Sequence, residues 1–283
     1  MTSTKDQIPE FRKASLKALS VLLDALSPFA DDYVVIGGWA PYFLLQKHGG
    51  GEANHLGSVD LDLVFDGPHM TEDKRARIFA ALEAIGCEQR MWDVQGEVPV
   101  PNSFRLPIEF DGRTVKIQVD LIGLDGVGRR SLDSHYALAL KQNEHVSVKV
   151  GRRSQDVRVS GAAAVFAMKA IALNDRKAPK DAYDLYMIAR YYKAGPESLA
   201  EELRPLLEGP PIRSAVANVK RWFANEFAPG PRAVVEFLLA VRQFGLDLPA
   251  VLMALREIIQ EKRAASRLTI PWSGMSPSTR LNP

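Results

Sequence analysis

Two carboxylates, Asp60 and Asp62, stand two residues apart in the alternating segment SVDLDLVF, which begins at Ser58. Such alternation predicts a β-strand, in which successive side chains point to opposite faces. The two carboxylates then share one face, about 7 Å apart at Cα. The other face carries apolar residues and is expected to be buried: Val59, Leu61, Leu63 and Phe65. A pair of this kind can bind a divalent metal, because Mg²⁺ is held by one or two carboxylates together with substrate phosphates.

A second predicted strand supplies a third acid. Between residues 114 and 122 apolar residues alternate with polar ones, and Asp120 lies on the polar side. If this strand pairs beside the one that carries Asp60 and Asp62, three carboxylates converge and can hold two metal ions about 3.5–4 Å apart. The alternative for the pair is a solvated strand face. For Asp120 it is an ordinary hydrogen-bonded aspartate near a strand end.

A glycine turn upstream predicts where phosphates would bind. Gly37 and Gly38 follow a predicted strand at 33–36 and precede a predicted helix at 39–47. Backbone N–H groups at the start of that helix suit a phosphate. A strand-to-helix turn also favours glycine for conformational reasons alone. Together with the three acids, the turn makes nucleotide chemistry the first hypothesis.

Positive charge is concentrated in the middle of the chain. The overall net charge is +2, but residues 1–148 hold 15 Lys and Arg against 21 Asp and Glu, whereas residues 149–193 hold 10 against 4. This basic block suits a polyphosphate and could extend to a nucleic-acid backbone, although a solvated face is the plain alternative. Within it, Lys180 is a candidate nucleotide contact. Lys169 lies in a helix that is apolar on nearly every side, so it must either reach solvent or meet a buried anion such as a triphosphate.

Two further aspartates follow the lysine. Asp181 and Asp184 are three residues apart and therefore share one face of the first turn of a predicted helix. Asp181 has a structural explanation, because an aspartate at a helix N-terminus caps free N–H groups. Asp184 lies in an otherwise apolar turn. It would be costly to bury without a partner such as Lys169, Lys180 or Arg176.

The pattern along the chain predicts an α/β front and a helical back, with the boundary near residue 160. The front is expected to hold helices at 9–26, 39–47 and 71–85 and strands at 33–36, 58–65, 103–110, 113–122, 145–150 and 157–159, with a turn at Asp111-Gly112. Gly49 to Gly51 predict a flexible loop over the nucleotide, and Pro99 and Pro101 a surface loop. Ser160 is expected to cap a helix at 162–173. Later helices are expected at 182–192, 197–207, 212–225, 233–244 and 250–265, followed by a loosely ordered tail at 271–283.

Composition narrows the class of protein. With 283 residues and 46% hydrophobic content, the chain can bury a sizeable core in one to two domains. No apolar run approaches the roughly 20 residues of a membrane span, and the first residues lack the apolar core of a signal peptide. Cys87 is the only cysteine, which fits a reducing compartment. We therefore expect a cytoplasmic protein. The five histidines show no ligand spacing and are assigned no metal role, and the lack of a GxxxxGK[ST] motif argues against a P-loop NTPase.

The order of these motifs resembles the polymerase-β-like nucleotidyltransferase superfamily and, within it, the toxins of the AbiEii/MenT type, over roughly residues 30–190. The motifs are Ile36-Gly37-Gly38, then Ser58-Val59-Asp60-Leu61-Asp62, then Asp120, Lys169 and Asp181-Ala182-Tyr183-Asp184-Leu185. The resemblance implies an α+β catalytic domain with a mixed sheet and flanking helices (1–159). A C-terminal helical bundle (160–270) would complete the NTP site. The implied reaction is Mg²⁺- or Mn²⁺-dependent transfer of a nucleoside monophosphate from an NTP, with release of pyrophosphate.

The resemblance also implies a role for each matching residue. Asp60 and Asp62 would bind metal, and Asp120 would be the third carboxylate, which could assist deprotonation of the acceptor hydroxyl. Lys169 would pair with the phosphates, and Asp181 or Asp184 would complete the site. The triphosphate contacts would be Gly37, Gly38 and Ser58. The family often carries an arginine just before the Ser/Thr-x-Asp-x-Asp motif, whereas His55-Leu56-Gly57 stands there in this chain.

Three functions remain open at this point. The first is a toxin that transfers a nucleotide to a macromolecule, with the 3′ end of tRNA as the expected acceptor and a cognate antitoxin as partner. The second keeps the chemistry but uses a small acceptor, as antibiotic nucleotidyltransferases do. The third is a nucleotide-binding regulator without catalysis. The basic block favours the first, and the presence of all three acids disfavours the third.

Overall fold

The computed structural model describes residues 8–49, 55–92, 98–124, 132–150, 153–225 and 227–242. The front half contains helices α1 (Ile8–Ala25), α2 (Trp39–His48), α3 (Glu72–Ala84) and α4 (Ser134–Lys141). Its strands are β1 (Tyr33–Val35), β2 (Leu61–Phe65), β3 (Glu88–Trp92), β4 (Val98–Phe110), β5 (Arg113–Ile122), β6 (Asn143–Val150) and β7 (Arg153–Ser160). Helices α5 (Ala162–Arg176), α6 (Pro179–Tyr191), α7 (Pro196–Leu203), α8 (Pro210–Trp222) and α9 (Pro229–Arg242) follow. None of the described helices is long and apolar enough to span a bilayer.

The strands form one mixed sheet in the order β3-β4-β5-β2-β1-β7-β6. The β2–β5 and β1–β7 pairs are parallel, and the other neighbours are antiparallel. The β4–β5 hairpin turns at Asp111 and Gly112, whose φ values of 48° and 72° are those of a tight hairpin turn. A mixed sheet with flanking helices confirms the predicted α+β class.

The central strands are buried on both faces. On one face Val35, Leu61 and Leu63 join a large core that extends from α1 to α9. On the other face a smaller cluster is formed by residues of β1, β2, α4 and α5: Val34, Ile36, Val64, Ala139, Ala164 and Met168. Strands in this position read as nearly continuous apolar runs. The helices of the back half therefore share one core with the sheet.

Most predicted elements are confirmed with shifts of a few residues at their ends. Helices α1, α2 and α3, the β4–β5 hairpin and strands β6 and β7 lie where the alternation and the helical spacing placed them. The predicted helices from 162 to 242 correspond to α5 through α9. Those expected loops, helices and tail segments that fall at 50–54, 243–265 and 271–283 lie outside the described residues.

Three expectations were wrong, each for a local reason. The strand at 58–65 begins only at Leu61, so Asp60 precedes it and Val59 is 39% exposed rather than buried. Neither neighbouring strand extends to residues 58–60. Strand β1 ends at the glycine turn, and the pairing of β2 with β5 begins at Leu61. Ser160 still belongs to β7, and Gly161 occupies the N-cap of α5 without a side-chain cap.

The third wrong expectation is the proline loop, and two further elements were missed. Pro99 and Pro101 lie inside β4, in a stretch that pairs with β3 but extends beyond the β5 ladder, where a missing N–H is tolerated. Strand β3 and helix α4 were not predicted. The polar run of β3 lacks alternation, and Ala139 is the only fully buried residue that α4 contributes.

Candidate active site

Two of the three predicted acids, Asp62 and Asp120, are neighbours in the sheet, and Asp60 lies beside the sheet, near both. Strands β2 and β5 run parallel in a register that makes Asp62 and Asp120 direct partners. Asp60 stands in the exposed bend just before β2 and interacts electrostatically with both. The predicted pairing of these two strands is therefore confirmed. It rests on β5 entering the sheet between β4 and β2, which the sequence alone left open.

Their negative charges are poorly compensated. Burial, reinforced by the neighbouring Asp120 carboxylate, raises the pKa of Asp62 to about 6. Burial and then Asp120 also raise the pKa of Asp60. Like charges held this close favour a proton or a cation. The acids are therefore in a state that a divalent metal would relieve.

Asp120 is oriented by two neutral donors. The Ser103 hydroxyl, on the register partner of Asp120 in β4, donates to Oδ1 at 2.5 Å. The Gln118 side-chain amide donates to Oδ2 at 2.7 Å. Sequence reasoning missed both residues, although Gln118 lies two positions before Asp120 and so shares its face. Each carboxylate oxygen keeps a lone pair that faces away from these donors.

The glycine turn is in contact with the acids and with a lysine. Gly37 has a φ of +66°, and a Cβ built on it would lie 1.9 Å from Asp62 Oδ2. A Cβ on Gly38 would lie 2.5 Å from Lys180 Nζ and 2.9 Å from Ser58 Oγ. A side chain at either position would clash with these groups. The turn therefore requires glycine both for its backbone and for the close approach of these groups.

Asp184 anchors the two site lysines. Its carboxylate is fully buried and lies 2.6 Å from Lys169 Nζ and 2.9 Å from Lys180 Nζ. Burial alone would raise the pKa of Asp184, but the two ammonium groups hold it far below its usual range. Despite burial, Asp184 and Asp181 raise the pKa of Lys169, whereas burial lowers the pKa of Lys180. Of the two alternatives for Lys169, solvent or a buried anion, the structure shows a buried anion, the carboxylate of Asp184. Its pairing with a triphosphate stays a prediction.

Asp181 has a different place from the predicted cap. Helix α6 has Ala178 at its N-cap with no side-chain cap bond, and Asp181 lies inside the first turn. Its buried carboxylate accepts two hydrogen bonds from Arg176, at 2.6 Å and 2.7 Å, and lies 3.3 Å from Lys169. Asp181 and Asp184 therefore hold the cations of the site in place and do not face an open surface.

The basic block of the sequence is divided in the fold. Lys169, Arg176 and Lys180 belong to the site, whereas Arg158 hydrogen-bonds to Asn143 and to a backbone carbonyl at residue 31. The side chains of Lys149, Arg152 and Arg153 lie outside the described part of the chain. The described members do not form one continuous basic surface.

A cavity of about 380 Å³ opens beside Asp62 and Lys169. Its walls are mixed: Val165, Met168 and Ala172 of α5 form an apolar side, and Tyr136 of α4 lies near them. Charged groups line it as well, among them Arg176, Asp133 and Asp175. Its volume lies in the range of ligand sites. The volume suits a nucleoside next to the acids.

The residues present fit Mg²⁺ in its usual open mode. Among the described residues, no three His, Cys, Asp or Glu side chains form a ready-made metal cage. Mg²⁺ does not need one, because it is usually bound by one or two carboxylates and completes its shell with water and substrate phosphates. Asp62 and Asp120, with Asp60 beside them, offer such oxygens, and the raised pKa values of Asp60 and Asp62 agree with that use.

His55 is a third residue of the site that sequence reasoning missed. It was given no role, yet its ring is buried and its Nε2 lies 3.0 Å from Asp184 Oδ1. The one available signal was its position, three residues before Ser58, where the resembling toxins often carry an arginine. The site residues themselves converge, but their catalytic roles stay predictions.

The family comparison agrees with this geometry. A model of the family described as nucleotidyl transferase AbiEii toxin, type IV TA system, matches residues 21–261. No curated protein matches the chain significantly. The matched range contains every residue of the candidate site, from Gly37 to Asp184, together with the sheet and the helices that position them. The chain therefore belongs to the AbiEii nucleotidyl transferase toxin family of type IV toxin–antitoxin systems.

Proposed function

We propose that this toxin transfers a nucleoside monophosphate from an NTP to the 3′ end of tRNA in a Mg²⁺-dependent reaction. The observation that carries the proposal is the convergence of three carboxylates with a glycine turn and two lysines. The carboxylates suit metal, and the turn with the lysines suits a triphosphate. The family supports the transfer chemistry and a cognate antitoxin. The metal and the acceptor are inferred from the site.

The triphosphate would lie between the glycine turn and α6. Lys180 Nζ and Ser58 Oγ lie 2.5 Å and 2.9 Å from the position of a Cβ on Gly38, so a phosphate bound beside the turn would meet an ammonium and a hydroxyl. Lys169 does not contact the turn directly but pairs with the same Asp184 carboxylate as Lys180. Because Asp184 holds both ammonium groups, little side-chain entropy is lost when the phosphates bind.

Asp60, Asp62 and Asp120 would hold Mg²⁺ or Mn²⁺. When bound, the metal supplies charge neutralisation of the triphosphate and of the leaving pyrophosphate. Asp120, which accepts hydrogen bonds from Ser103 and Gln118, would accept the proton of the acceptor hydroxyl. The nucleoside would occupy the cavity lined by Tyr136 and Met168 and so face the acids from the other side.

The open polar face of the sheet beyond Asp120 supports a large acceptor. On this face of β4 and β5, Arg105 and Lys116 are exposed, together with Glu109 and with Glu88, which pairs with Lys116. Long cationic side chains of this kind bind backbone phosphates without reading sequence. A small acceptor would need a closed pocket there instead. A tRNA acceptor would also place the reaction in the cytoplasm.

The test is transfer of label. The protein is incubated with Mg²⁺, one α-³²P-labelled NTP at a time, and purified tRNA, total RNA or a small-molecule extract. Labelled tRNA is the expected product. Label on small molecules alone would contradict the acceptor, and no labelled product with any NTP would contradict the transfer reaction. Growth arrest on expression, relieved by the product of a neighbouring gene, would support the antitoxin.

A further inference from the structure

His55 connects the two halves of the site through one ring. Its side chain is fully buried between α2 and α6, with the Tyr42 and Tyr183 rings at 6.4 Å and 5.2 Å. Nδ1 lies 2.9 Å from the backbone N of Gly57, and Nε2 lies 3.0 Å from Asp184 Oδ1. The ring therefore joins the segment that leads to Ser58 with the carboxylate that holds both lysines.

These two contacts fix where the proton is. A backbone N–H can only donate, so Nδ1 must accept from Gly57 and carries no proton. A neutral ring with a bare Nδ1 has its proton on Nε2 and donates it to Asp184. In the charged form the Nδ1–H of the ring would point at the N–H of Gly57, so two donors would face each other. The positive ring would also lie near the ammonium groups of Lys169 and Lys180. Burial also favours the neutral ring, because it lowers the pKa of His55. The Asp184 carboxylate opposes this effect only in part.

The segment after His55 has further ties to α6. The Leu56 backbone N–H donates to the Tyr183 hydroxyl at 3.1 Å. Gly57 has a φ of +75°, and a Cβ there would lie 3.2 Å from the Trp39 ring. The chain is thus bent at Gly57 directly before Ser58. A change at His55 would act on both ends of this connection.

We infer that His55 is a positioning residue: as the neutral Nε2–H form, it fixes the Ser58 segment and the Asp184 carboxylate in one arrangement, and so places Lys180 over the glycine turn. The inference rests on the proposed function only in taking that place as the triphosphate site. His55 touches neither substrate nor metal in this role. It acts through Asp184 and through the Gly57 backbone.

Two substitutions separate the two contacts. His55→Gln places an amide N–H near the position of Nε2 and keeps the bond to Asp184. His55→Asn reaches only the position of Nδ1, so it keeps an acceptor for Gly57 and leaves Asp184 without its third donor. Both remove the same ring, so the loss of packing is closely matched, and thermal melts of the full chain record it separately.

The first readout is binding of Mg²⁺-tripolyphosphate by calorimetry. His55→Asn is expected to weaken it about tenfold and His55→Gln by no more than about threefold, as for one charge-assisted hydrogen bond. Equal affinities for the wild type and both variants would overturn the inference. So would equal losses in both, because a structural role alone predicts losses that follow the melting temperatures.

The second readout needs no ligand. In ¹⁵N-labelled protein, the His55 imidazole, identified by its absence from the His55→Gln spectrum, is expected as the neutral Nε2–H tautomer at pH 7. A protonated ring or an Nδ1–H tautomer would overturn the inference. If the wild type binds no tripolyphosphate, the proposed function fails, while the tautomer still decides the arrangement at His55.

Discussion

Asp62 and Asp120 face each other across the parallel β2–β5 pair, as partners in the strand register. Two carboxylates in this relation repel each other whenever both are ionised. Ser103 and Gln118 donate hydrogen bonds to Asp120, whereas burial, reinforced by Asp120, raises the pKa of Asp62 to about 6. At neutral pH the ionised Asp62 carboxylate therefore lowers the stability of the fold, and we call this cost the electrostatic stress of the site.

Removal of that stress should stabilise the protein above pH 6. The folded pKa of Asp62 is about 6 against an ordinary value of 3.8, so the native state holds a proton that the unfolded chain releases. The stability from this proton is present below pH 3.8 and is lost as the pH rises through about 6. Asp62→Asn should raise the free energy of unfolding by about 1–3 kcal/mol at pH 7.5 and by little at pH 4.

Urea unfolding of the wild type and of Asp62→Asn at pH 4 and pH 7.5 measures this difference in the free energy of unfolding. Glu201→Gln, which removes an exposed carboxylate on α7, is the control and should show no such pH-dependent gain. Added Mg²⁺ should stabilise the wild type but not Asp62→Asn. A gain at pH 4 as large as at pH 7.5 would contradict the electrostatic explanation.

Asp60 should be needed for transfer but not for folding. It lies in the bend before β2, and burial and Asp120 raise its pKa, so Asp60→Ala should leave the free energy of unfolding at pH 7.5 unchanged or slightly higher. Label transfer from an NTP should fall by about a thousandfold or more. Glu109→Gln, on the exposed end of β4, is the control and should keep full activity. Retained transfer by Asp60→Ala would remove Asp60 from the site.

Gly38→Ala should block phosphate binding in a folded protein. Gly38 has an ordinary φ of −82°, so alanine causes no backbone strain, but its Cβ would meet Lys180 and Ser58. Tripolyphosphate affinity should fall about tenfold or more. Gly209→Ala is a matched control, because Gly209 is also a helix N-cap with a negative φ, of −69°. Normal phosphate binding by Gly38→Ala would place the triphosphate elsewhere.

Lys169 and Asp184 should be strongly coupled in stability. Lys169→Met leaves Asp184 with fewer cations in a buried place and should cost about 3 kcal/mol, as should Asp184→Asn. The double variant should lose about 1–3 kcal/mol less than the sum. The exposed Lys193–Glu202 pair is the control cycle, with a coupling below about 1 kcal/mol. Additive effects at Lys169 and Asp184 would contradict the pairing.

Ala172→Trp should discriminate between the nucleoside and the phosphates. Ala172 lines the cavity from α5, and an indole there would fill much of its volume. The KM for the NTP should rise about tenfold or more, whereas tripolyphosphate affinity should stay unchanged. The smaller Ala172→Val should have an intermediate effect. An unchanged KM would exclude this cavity as the nucleoside site.

The acids could be predicted because strand periodicity is local. A period of two fixes which side chains share a face, so Asp62 and Asp120 were recognisable before any pairing was known. The resemblance then gave the order of the remaining motifs. What failed near them was the strand start: Asp60 and Val59 continue the alternation, but neither neighbouring strand extends to them.

The partners of the acids and lysines could not be predicted because they depend on tertiary packing. His55 lies 129 positions from Asp184, and Ser103 reaches Asp120 only through the β4–β5 register. Arg176 binds Asp181 because the chain reverses between α5 and α6, where Lys177 has a φ of +56°. No periodic pattern encodes such contacts.

Because α5 and α6 share a core with the sheet, neither half of the chain is expected to fold or act without the other. A fragment that ended at residue 160 would keep all three acids but lose both lysines and expose the apolar residues that α5 covers on β1 and β2. A fragment that began after residue 160 would keep the lysines without the acids. A truncating mutation near this point should therefore yield no partly toxic product, and a cell that carries it should no longer depend on an antitoxin.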